Sequence, residues 1–344
     1  MATPAERTNH APPLVAIGAS AGGIEALRVV LPSLPADFPA AVAVVVHRGP
    51  VQEDDRLTTV LARNARLPVG TASDFEDLQP GRIYVCPAGV HLVVERNRFR
   101  LTNGARENGS RPAIDVLFRS AALCFGERAA AVILSGMLDD GTAGLAAIKA
   151  RGGFTVVQDP NEALFADMPR NALENVDVDA VLPAAGIGAM LEEFALRAAS
   201  RAPRSVPQTE EHVEPSLFSC PDCGGVLSQI DADGVVRFRC RIGHAYSPRT
   251  LFSEQDQGLE AALSTALRVL VERRDMSERL ARRSRERGLH VAAQRFEQQA
   301  AVARRRADTI RAAIEGPQTA IDAALAAGET AEDDASDGEA VSAI

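Results

Sequence analysis

A serine, a histidine and an aspartate stand at the ends of three short apolar runs in the first half of the chain. Ser20 lies in VAIGASAGG, His47 ends AVAVVVH, and Asp140 follows AAVILSG within SGMLDDG. A serine hydroxyl becomes an effective nucleophile when a histidine takes its proton, and a carboxylate fixes the tautomer of that histidine. These three residue types together therefore indicate nucleophilic catalysis.

The glycine-rich turn around Ser20 has more than one interpretation. Glycines on both sides allow a sharp strand-to-helix turn, whose backbone N–H groups hold an oxyanion or a phosphate equally well. The turn is not a dinucleotide fingerprint, because Ser20 occupies the second glycine position, and it is not a P-loop, because no lysine follows. His47 could equally cap a loop, and Asp140 could form a turn with the glycine after it.

The elements expected around these residues alternate between strand and helix. The predicted buried strands are 14–19, 41–47, 83–87, 130–136 and 153–159, and the predicted helices are 23–31, 54–65, 113–125, 142–150 and 169–175. This alternation predicts an α/β fold with a doubly wound, mainly parallel sheet of the Rossmann type, into which residues 91–103 insert a small antiparallel hairpin. Because parallel strands end at one edge of the sheet, Ser20, His47 and Asp140 are expected where such sheets bind ligands.

Composition divides the chain into six parts. They are a polar arm (1–13), the α/β domain (14–198), a charged, proline-rich linker (199–217), a Cys/His module (218–247), a helical hairpin (251–315) and an acidic tail (317–344). The hairpin is expected to turn near Gly288. The arm is predicted to be disordered, and so is the tail, which contains Asp and Glu but no Lys or Arg.

The properties of the whole chain exclude several function classes. The net charge of −9 in 344 residues argues against a surface built for nucleic acid, and the arginine-rich run 279–287 is interpreted as a solvated helix face. No apolar run is long enough to span a bilayer, and the first residues lack the apolar core of a signal peptide. The chain is therefore predicted to be cytoplasmic, with reduced cysteines.

Three of the five cysteines cluster with a histidine. Cys220 and Cys223 form a Cys-x-x-Cys pair, and after sixteen residues Cys240 and His244 form a second pair. Two short ligand pairs separated by a hairpin are typical of a zinc ribbon, in which four protein ligands leave no open position and the Zn²⁺ is structural. The alternative is a reduced cysteine pair in a small hairpin without metal.

At these motifs residues 14–194 resemble the catalytic domain of the CheB family, the chemotaxis protein-glutamate methylesterases. The order and separation of the blocks match as well as their residues. The blocks are IGASAGG, the histidine that ends the second strand, YVCPAGVHL, SRPAIDVLFRSAA, SGMLDDGTAGL and VVQDPNEALFADMPRNAL. The resemblance implies a hydrolase that removes methyl groups from glutamate γ-methyl esters on chemoreceptors, and it leaves room for deamidation of receptor glutamines.

The resemblance also implies a role for each residue of the site. Ser20 would be the nucleophile, His47 the general base and then the acid, and Asp140 the carboxylate that orients the histidine. The backbone N–H groups of Ala21 and Met137 would hold the oxyanion. Such a mechanism passes through an acyl-enzyme on Ser20 and needs no cofactor, so that a zinc ion in the Cys/His module would be structural.

The chain departs from the family pattern beside the reacting groups. The family usually has Thr where this chain has Ala21, Gln where it has Val46, and Met where it has Arg48. In the loop motif G-M-G-x-D-G the third position is Leu138 here, which demands more of the backbone if that position needs a positive φ. The same motif assigns the catalytic position to the second of two adjacent aspartates, so Asp139 would lie outside the triad.

Family members often carry a phosphorylatable receiver domain before the catalytic domain. Too few residues precede the first strand here to form one, so we expect no activation by phosphorylation in cis. The alternative to an enzyme is a non-catalytic signalling adaptor that binds partners through the Cys/His module and the C-terminal helices. Nucleotide binding at the turn 18–23 is a further alternative, for which no phosphate-binding lysine or ribose-binding acid is found.

Three other residues of the family-like blocks have open roles. His91 is expected to be structural or to line a substrate groove. Arg111 and Asp115 are expected to line the cleft, unless Asp115 caps the start of its helix. In the C-terminal helices leucines recur at helical spacing, which predicts either the core of the hairpin or a surface for self-association or a partner helix.

Overall fold

The structure is a computed structural model that describes residues 11–47, 56–202 and 211–315. The chain divides between Glu254 and Gln255 into two compact units. Unit 1 holds an α/β domain and the Cys/His module, and unit 2 is helical. Most of the predicted arm, part of the predicted linker and the whole acidic tail lie outside the described residues.

The described part of the α/β domain contains a parallel sheet, a separate hairpin and six α-helices. The strands are β1 (Leu14–Ala19), β2 (Ala41–Val46), β3 (Val69–Thr71), β4 (Arg82–Val85), β5 (His91–Glu95), β6 (Arg98–Thr102), β7 (Ala129–Ile133), β8 (Phe154–Gln158) and β9 (Ala180–Leu182). The helices are α1 (Gly23–Ser33), α2 (Arg56–Ala62), α3 (Ile114–Phe125), α4 (Thr142–Ala150), α5 (Asp167–Asn175) and α6 (Ala184–Ala199). Seven strands form the sheet in the order β3-β4-β2-β1-β7-β8-β9, and β5 pairs with β6 alone.

The central strands are buried on both faces of the sheet. Every residue of β1, β2 and β7 is buried. Leu14 and Ala16 of β1 pack in one core with α3, α4 and α5, whereas Val15 and Ile17 pack in a second core with α1 and α6. Because helices cover both faces, these strands are continuous apolar runs, and each buried Val, Leu or Ile contributes about 1.5–3 kcal/mol to folding.

The order of the strands creates a switch point at the carboxyl end of β1. This strand lies between β2 and β7, and both of these neighbours pair with it in parallel. The loops that follow the three strands therefore leave the sheet at the same edge. In sheets of this type the crevice at the switch point is the position at which ligands bind.

The predicted fold class is confirmed, with local differences. Helix α4 has the predicted bounds, whereas the predicted strand 130–136 ends at Ile133. It ends there because the Ser135 N–H turns to the side-chain oxygen of Gln158 at 2.9 Å instead of joining the sheet. The edge strands β3 and β9 and helix α6 were not predicted, and the predicted hairpin forms its own two-stranded sheet beside the main one.

The Cys/His module is a four-stranded antiparallel sheet. Its strands are β10 (His212–Ser219), β11 (Val226–Ala232), β12 (Val235–Cys240) and β13 (Ala245–Tyr246), paired in chain order. Strand β10 begins within the predicted linker 199–217, so the linker prediction was wrong for that part. A mostly exposed edge strand that contains Pro215 has the composition of a linker, and only its pairing with β11 distinguishes the two.

Two long helices follow the module. They are α7 (Pro248–Glu286), which crosses from unit 1 into unit 2, and α8 (His290–Glu315). The turn between them contains Gly288 at φ 73°, close to the predicted break. Within the ranges described, none of the helices combines the length and the apolar character needed to cross a bilayer.

Candidate active site

The turn after β1 brings Ser20 against the loop after β7. The Ser20 N–H donates to the Ser135 carbonyl at 3.0 Å, and Gly22 adopts a left-handed φ of 70° before α1 begins. At Gly136 a β-carbon would lie 2.8 Å from the β-carbon of Ser20 and 2.0 Å from the sulfur of Met168. Only glycine fits there, and the two loops pack together because of it.

His47 and Asp140 form a direct pair at the same edge. The imidazole Nε2 lies 2.6 Å from Asp140 Oδ2, and the side chains are 18% and 3% exposed. The backbone N–H of His47 donates to the Ala19 carbonyl at 3.0 Å, so the histidine is held in register with the end of β1. The structure thus brings together the ends of β1, β2 and β7, from which the three predicted triad residues come.

The carboxylate of Asp140 is buried but receives four hydrogen bonds. Besides His47, the backbone N–H groups of Ile114 and Asp115 donate to it at 2.7 and 3.2 Å, and the Asn108 amide donates at 3.0 Å. The two backbone donors belong to the first turn of α3, where the helix dipole favours a negative charge. Burial alone would raise the pKa of Asp140, but the hydrogen bonds from His47, from the Ile114 N–H and from Asn108 hold it below its usual value. Asp140 is therefore the ionised partner of the histidine.

Asp115 lies beside Asp140 and behaves differently. Its carboxyl group accepts hydrogen bonds from Asn108 at 3.1 Å and from the Gly144 N–H at 2.6 Å. Burial, and then the charge of Asp140, raises the pKa of Asp115 to about 7. Of the two predicted roles, the structure shows a capping role, but Asp115 caps the first turn of α4 and not that of its own helix.

The two expected oxyanion donors belong to the two loops that meet at this edge. Ala21 follows Ser20, and Met137 lies in the loop after β7. Within the described residues neither backbone N–H donates a hydrogen bond to another group of the protein. The assignment of these two N–H groups to an oxyanion stays a prediction.

Leu138, which replaces the second glycine of the loop motif G-M-G-x-D-G, has a positive φ. Leu138 has φ 61°, in the left-handed region that favours glycine, and its side chain is 37% exposed. The Asn171 amide donates to the Leu138 carbonyl at 2.7 Å and fixes this conformation. A second departure, Val46, is buried in the core, so it does not face a substrate. Arg48 lies outside the described residues.

His91 and Arg111 serve the framework. His91 is 2% exposed, and its Nδ1 accepts the Ala113 N–H at 3.2 Å while Nε2–H donates to the Ala105 carbonyl at 2.9 Å. Burial lowers the pKa of His91, in agreement with a neutral ring that both donates and accepts. Arg111 donates to the Gly104 carbonyl at 2.9 Å. Both side chains therefore organise the chain before α3.

The four Cys/His residues of the module converge. The ligand atoms of Cys220, Cys223, Cys240 and His244 lie within 4.8 Å of one another. The Cys223 and Cys240 sulfurs are 3.8 Å apart, and each of the Cys220 and Cys240 sulfurs is 3.6 Å from His244 Nδ1. Ligands of a tetrahedral zinc ion at about 2.0–2.3 Å are separated by about this distance.

The electrostatics of Cys240 also suit a metal. Although burial opposes it, the backbone N–H groups of Gly243 and Ile242 lower the pKa of the Cys240 thiol to about 7. The thiolate is the form of cysteine that binds a metal. The left-handed φ of 112° at Gly243 allows the turn that aims these donors at the sulfur. The donor set and its geometry therefore fit a zinc ion.

Three residues of the site, Asn108, Ser247 and Thr250, were not predicted from the sequence. Asn108 bonds to Asp140, and the hydroxyl groups of Ser247 and Thr250 donate to Asp139 at 2.7 and 2.9 Å. These contacts join segments that are far apart in the chain. Neither the periodicity nor the spacing of residues in the sequence indicates these contacts. They can be recognised only in the folded structure.

A doubly wound parallel sheet with a serine, a histidine and an aspartate at its switch point has the arrangement that a serine hydrolase requires. The family description CheB methylesterase matches residues 15–191, and the chain belongs to this family. The match ends before the Cys/His module and the two long helices.

Individual relatives agree with this assignment. A Pseudomonas aeruginosa protein named protein-glutamate methylesterase/protein-glutamine glutaminase 2 is 40% identical over 197 residues, and the match covers 54% of this chain and 54% of that protein. A Leptospira interrogans protein that provisionally carries the same name without the number is 40% identical over 169 residues, 49% of this chain and 87% of its own. The crystal structure of the Thermotoga maritima CheB methylesterase catalytic domain is similar with a TM-score of 0.51 and 34% identity, and covers 54% of this chain and 99% of that one.

Leu138→Gly is expected to stabilise the protein. A left-handed conformation costs a non-glycine residue about 1–2 kcal/mol, and the greater freedom of glycine in the unfolded chain offsets part of the gain. We expect the free energy of unfolding to rise by about 0.5–1 kcal/mol in urea titrations. Leu217→Gly, at an exposed strand position with ordinary φ, is the matched control and should lower it. Equal losses in both variants would contradict the assignment of strain.

Asp115 is expected to make the protein less stable as the pH rises toward neutral. Its pKa moves from an ordinary value of 3.8 to about 7 on folding, so between these values only the folded state keeps the proton. The free energy of unfolding therefore falls with rising pH across this window, by up to about 1.4 kcal/mol per pH unit. Urea unfolding of Asp115→Asn across the same window should give a smaller slope. Equal slopes would mean that Asp115 is already ionised in the folded protein.

Proposed function

We propose that the protein is a protein-glutamate methylesterase that hydrolyses glutamate γ-methyl esters on chemoreceptor-type proteins. The observation that carries the proposal is the His47–Asp140 pair, 2.6 Å apart, at the same sheet edge as Ser20 in a CheB methylesterase domain. The names of the relatives support the same reaction. The chain spans about half the length of the Pseudomonas relative. The proposed substrate therefore rests on the chemistry of the His47–Asp140 pair as well as on similarity to that relative.

The geometry of the His47–Asp140 pair supports the following sequence of proton transfers. Because His47 Nε2 faces Asp140, Nδ1 is the nitrogen left to accept the Ser20 proton. The Ser20 oxygen attacks the ester carbonyl, and the oxyanion lies between the N–H groups of Ala21 and Met137. His47 then donates its proton to the departing methoxide, so that methanol leaves and an acyl-enzyme remains.

Water completes the reaction by the same path. His47 takes a proton from water, whose oxygen attacks the acyl carbon, and the bond to Ser20 breaks as the hydroxyl regains the proton. The product is a glutamate carboxylate. A glutamine side chain would follow the same course with ammonia as the leaving group, which is the second activity in the names of the relatives. These steps need no cofactor.

We further propose that the Cys/His module binds one zinc ion. The convergence of four ligand atoms and the lowered pKa of Cys240 support this assignment. With four protein ligands the ion would be structural, and its contribution would be to hold the ends of β10, β12 and β13 together. Reduced thiols of this kind also suit a cytoplasmic protein.

The long helices are proposed to bind a partner helix or a second copy. Helix α8 buries Ala293, Ala300 and Ala307, which supports a hairpin core, while Leu259 and Met276 of α7 are more than half exposed. Exposed apolar side chains at helical spacing are the feature by which helices recognise helices.

Ser20→Ala is expected to abolish ester hydrolysis. Loss of the nucleophile should lower the rate of methanol release by at least about 10³-fold, measured as volatile label from methyl-labelled receptor cytoplasmic fragments. Ser200→Ala, which removes an exposed serine hydroxyl at the end of α6, is the control and should keep full activity. Release that persists in Ser20→Ala would refute the serine mechanism, and a folded wild type inactive on every receptor fragment would favour the adaptor alternative.

Zinc content is expected to depend on the four module ligands and not on the cysteines of the α/β domain. The purified chain should carry one zinc per molecule by native mass spectrometry, and Cys223→Ala should lose it because three ligands remain. Cys124→Ala is the control, since the Cys124 thiol donates to the Val94 carbonyl in the α/β domain and is outside the cluster. Equal zinc content in the two variants would contradict the site.

A further inference from the structure

The end of the Cys/His module is joined to the loop before α3. The Ala245 N–H donates to the Arg106 carbonyl at 3.2 Å, and the Asn108 N–H donates to the Ala245 carbonyl at 2.8 Å. The segment 105–108 thus pairs with the last strand of the module as if it were a further strand. This contact lies within unit 1.

The contact fixes the orientation of the Asn108 side chain. The backbone N–H of Ser247 donates to Asn108 Oδ1 at 2.8 Å. Because a backbone N–H can only donate, it selects the oxygen of the amide and leaves the NH₂ group to face the other way. That group donates to Asp140 at 3.0 Å and to Asp115 at 3.1 Å. The amide therefore forms a bridge from the module to the carboxylate that orients His47.

The same segment holds the loop that carries Asp140. The hydroxyl groups of Ser247 and Thr250 both donate to Asp139 Oδ1, at 2.7 and 2.9 Å. The Ser247 hydroxyl also accepts the Thr250 N–H at 3.0 Å and so caps α7. Asp139 is 8% exposed, and without these donors its carboxylate would be buried with fewer partners.

The segment is tied in turn to the metal ligands. His244 lies shortly before Ser247, and Tyr246 between them is 1% exposed. The Tyr246 hydroxyl donates to Asp222 at 2.6 Å and lies 3.5 Å from the Cys220 sulfur. The residues that hold Asn108 and Asp139 are therefore connected to the metal ligands both along the chain and through the contacts of Tyr246.

A second contact seats the other end of the module. Arg151, at the end of α4, forms an ion pair of 2.9 Å with Asp233, in the turn between β11 and β12, and both side chains are less than 10% exposed. The module is thus attached to the α/β domain at two separate points.

We propose that Asn108 and Ser247 are positioning residues of the esterase, through which the metal-bound module orients Asp140 against His47 and thereby sets the catalytic rate. This inference rests on the proposed function for its reaction, but not on the identity of the methylated substrate. It also assigns the module a purpose that the family match, which ends at residue 191, does not include.

The test measures the reactivity of Ser20 in the full-length protein. A fluorophosphonate labels a serine that its histidine activates and needs no receptor, so its maximal labelling rate reports the triad directly. Cys223→Ala, which removes the metal, and Asn108→Ala should each lower this rate by about 10- to 100-fold. The probe concentration at half-maximal rate should change less than about twofold, because a positioning defect affects the rate and not the binding of the probe.

The double variant separates coupling from general damage. If the metal acts through Asn108, then Cys223→Ala combined with Asn108→Ala should label no more than about threefold slower than either single variant. Losses that multiply would show two independent effects and would overturn the proposal, as would a wild-type rate in Cys223→Ala. Arg239→Ala, an exposed change on β12, is the control and should label at the wild-type rate.

A second variant tests the positioning role even if loss of the metal unfolds the module. Ser247→Ala with Thr250→Val removes both hydroxyl donors to Asp139 and leaves the four ligands intact. It should keep its zinc and its circular dichroism spectrum, yet label several-fold more slowly; an unchanged labelling rate would overturn the proposal. Methanol release, measured in parallel, separates the two failures. Metal-dependent labelling without release would refute the proposed substrate alone, whereas release that does not respond to the module would refute this inference alone.

Discussion

The candidate active site at the carboxyl edge of the sheet depends on keeping the buried carboxylate of Asp140 ionised. Asp140 is 2% exposed, and removing a carboxylate from water costs several kcal/mol unless hydrogen bonds replace the water. The protein supplies donors from three segments: the end of β2, the first turn of α3 and the loop that carries Asn108. The fold around the switch point can be understood as the arrangement that brings these donors to one place.

Neighbouring acidic groups make this requirement stricter. Asp115 and Asp139 lie beside Asp140, and like charges so close together cannot all be ionised cheaply. The three carboxyl groups therefore have different pKa shifts. Burial and the charge of Asp140 raise the pKa of Asp115, and burial raises that of Asp139 against the donors Ser247 and Thr250. Of the three carboxyl groups, the one that touches His47 is the one whose pKa is lowered.

Sequence patterns predicted the main features of the fold because its central strands are apolar on both faces. Such strands end at Gly, His or Asp, and their common edge follows from parallel topology, so Ser20, His47 and Asp140 could be assigned to one edge without coordinates. Edge strand β10 was missed because an exposed strand with Pro215 has the composition of a linker. Asn108 was missed because its role depends on a backbone N–H from a distant segment, and a backbone group leaves no signal in sequence.

The Cys/His module supplies hydrogen-bond partners to the catalytic domain from outside the domain's own boundaries. The segment from Leu14 to Ala199 holds every group proposed to touch the substrate, but the hydroxyl donors of Asp139 and the group that orients Asn108 come from beyond it. A fragment cut at the end of α6 would present all the reacting groups and yet leave their supporting polar groups open to water. The reacting groups and part of their hydrogen-bond support therefore lie in different pieces of this chain, and the boundary drawn by family likeness encloses only the first.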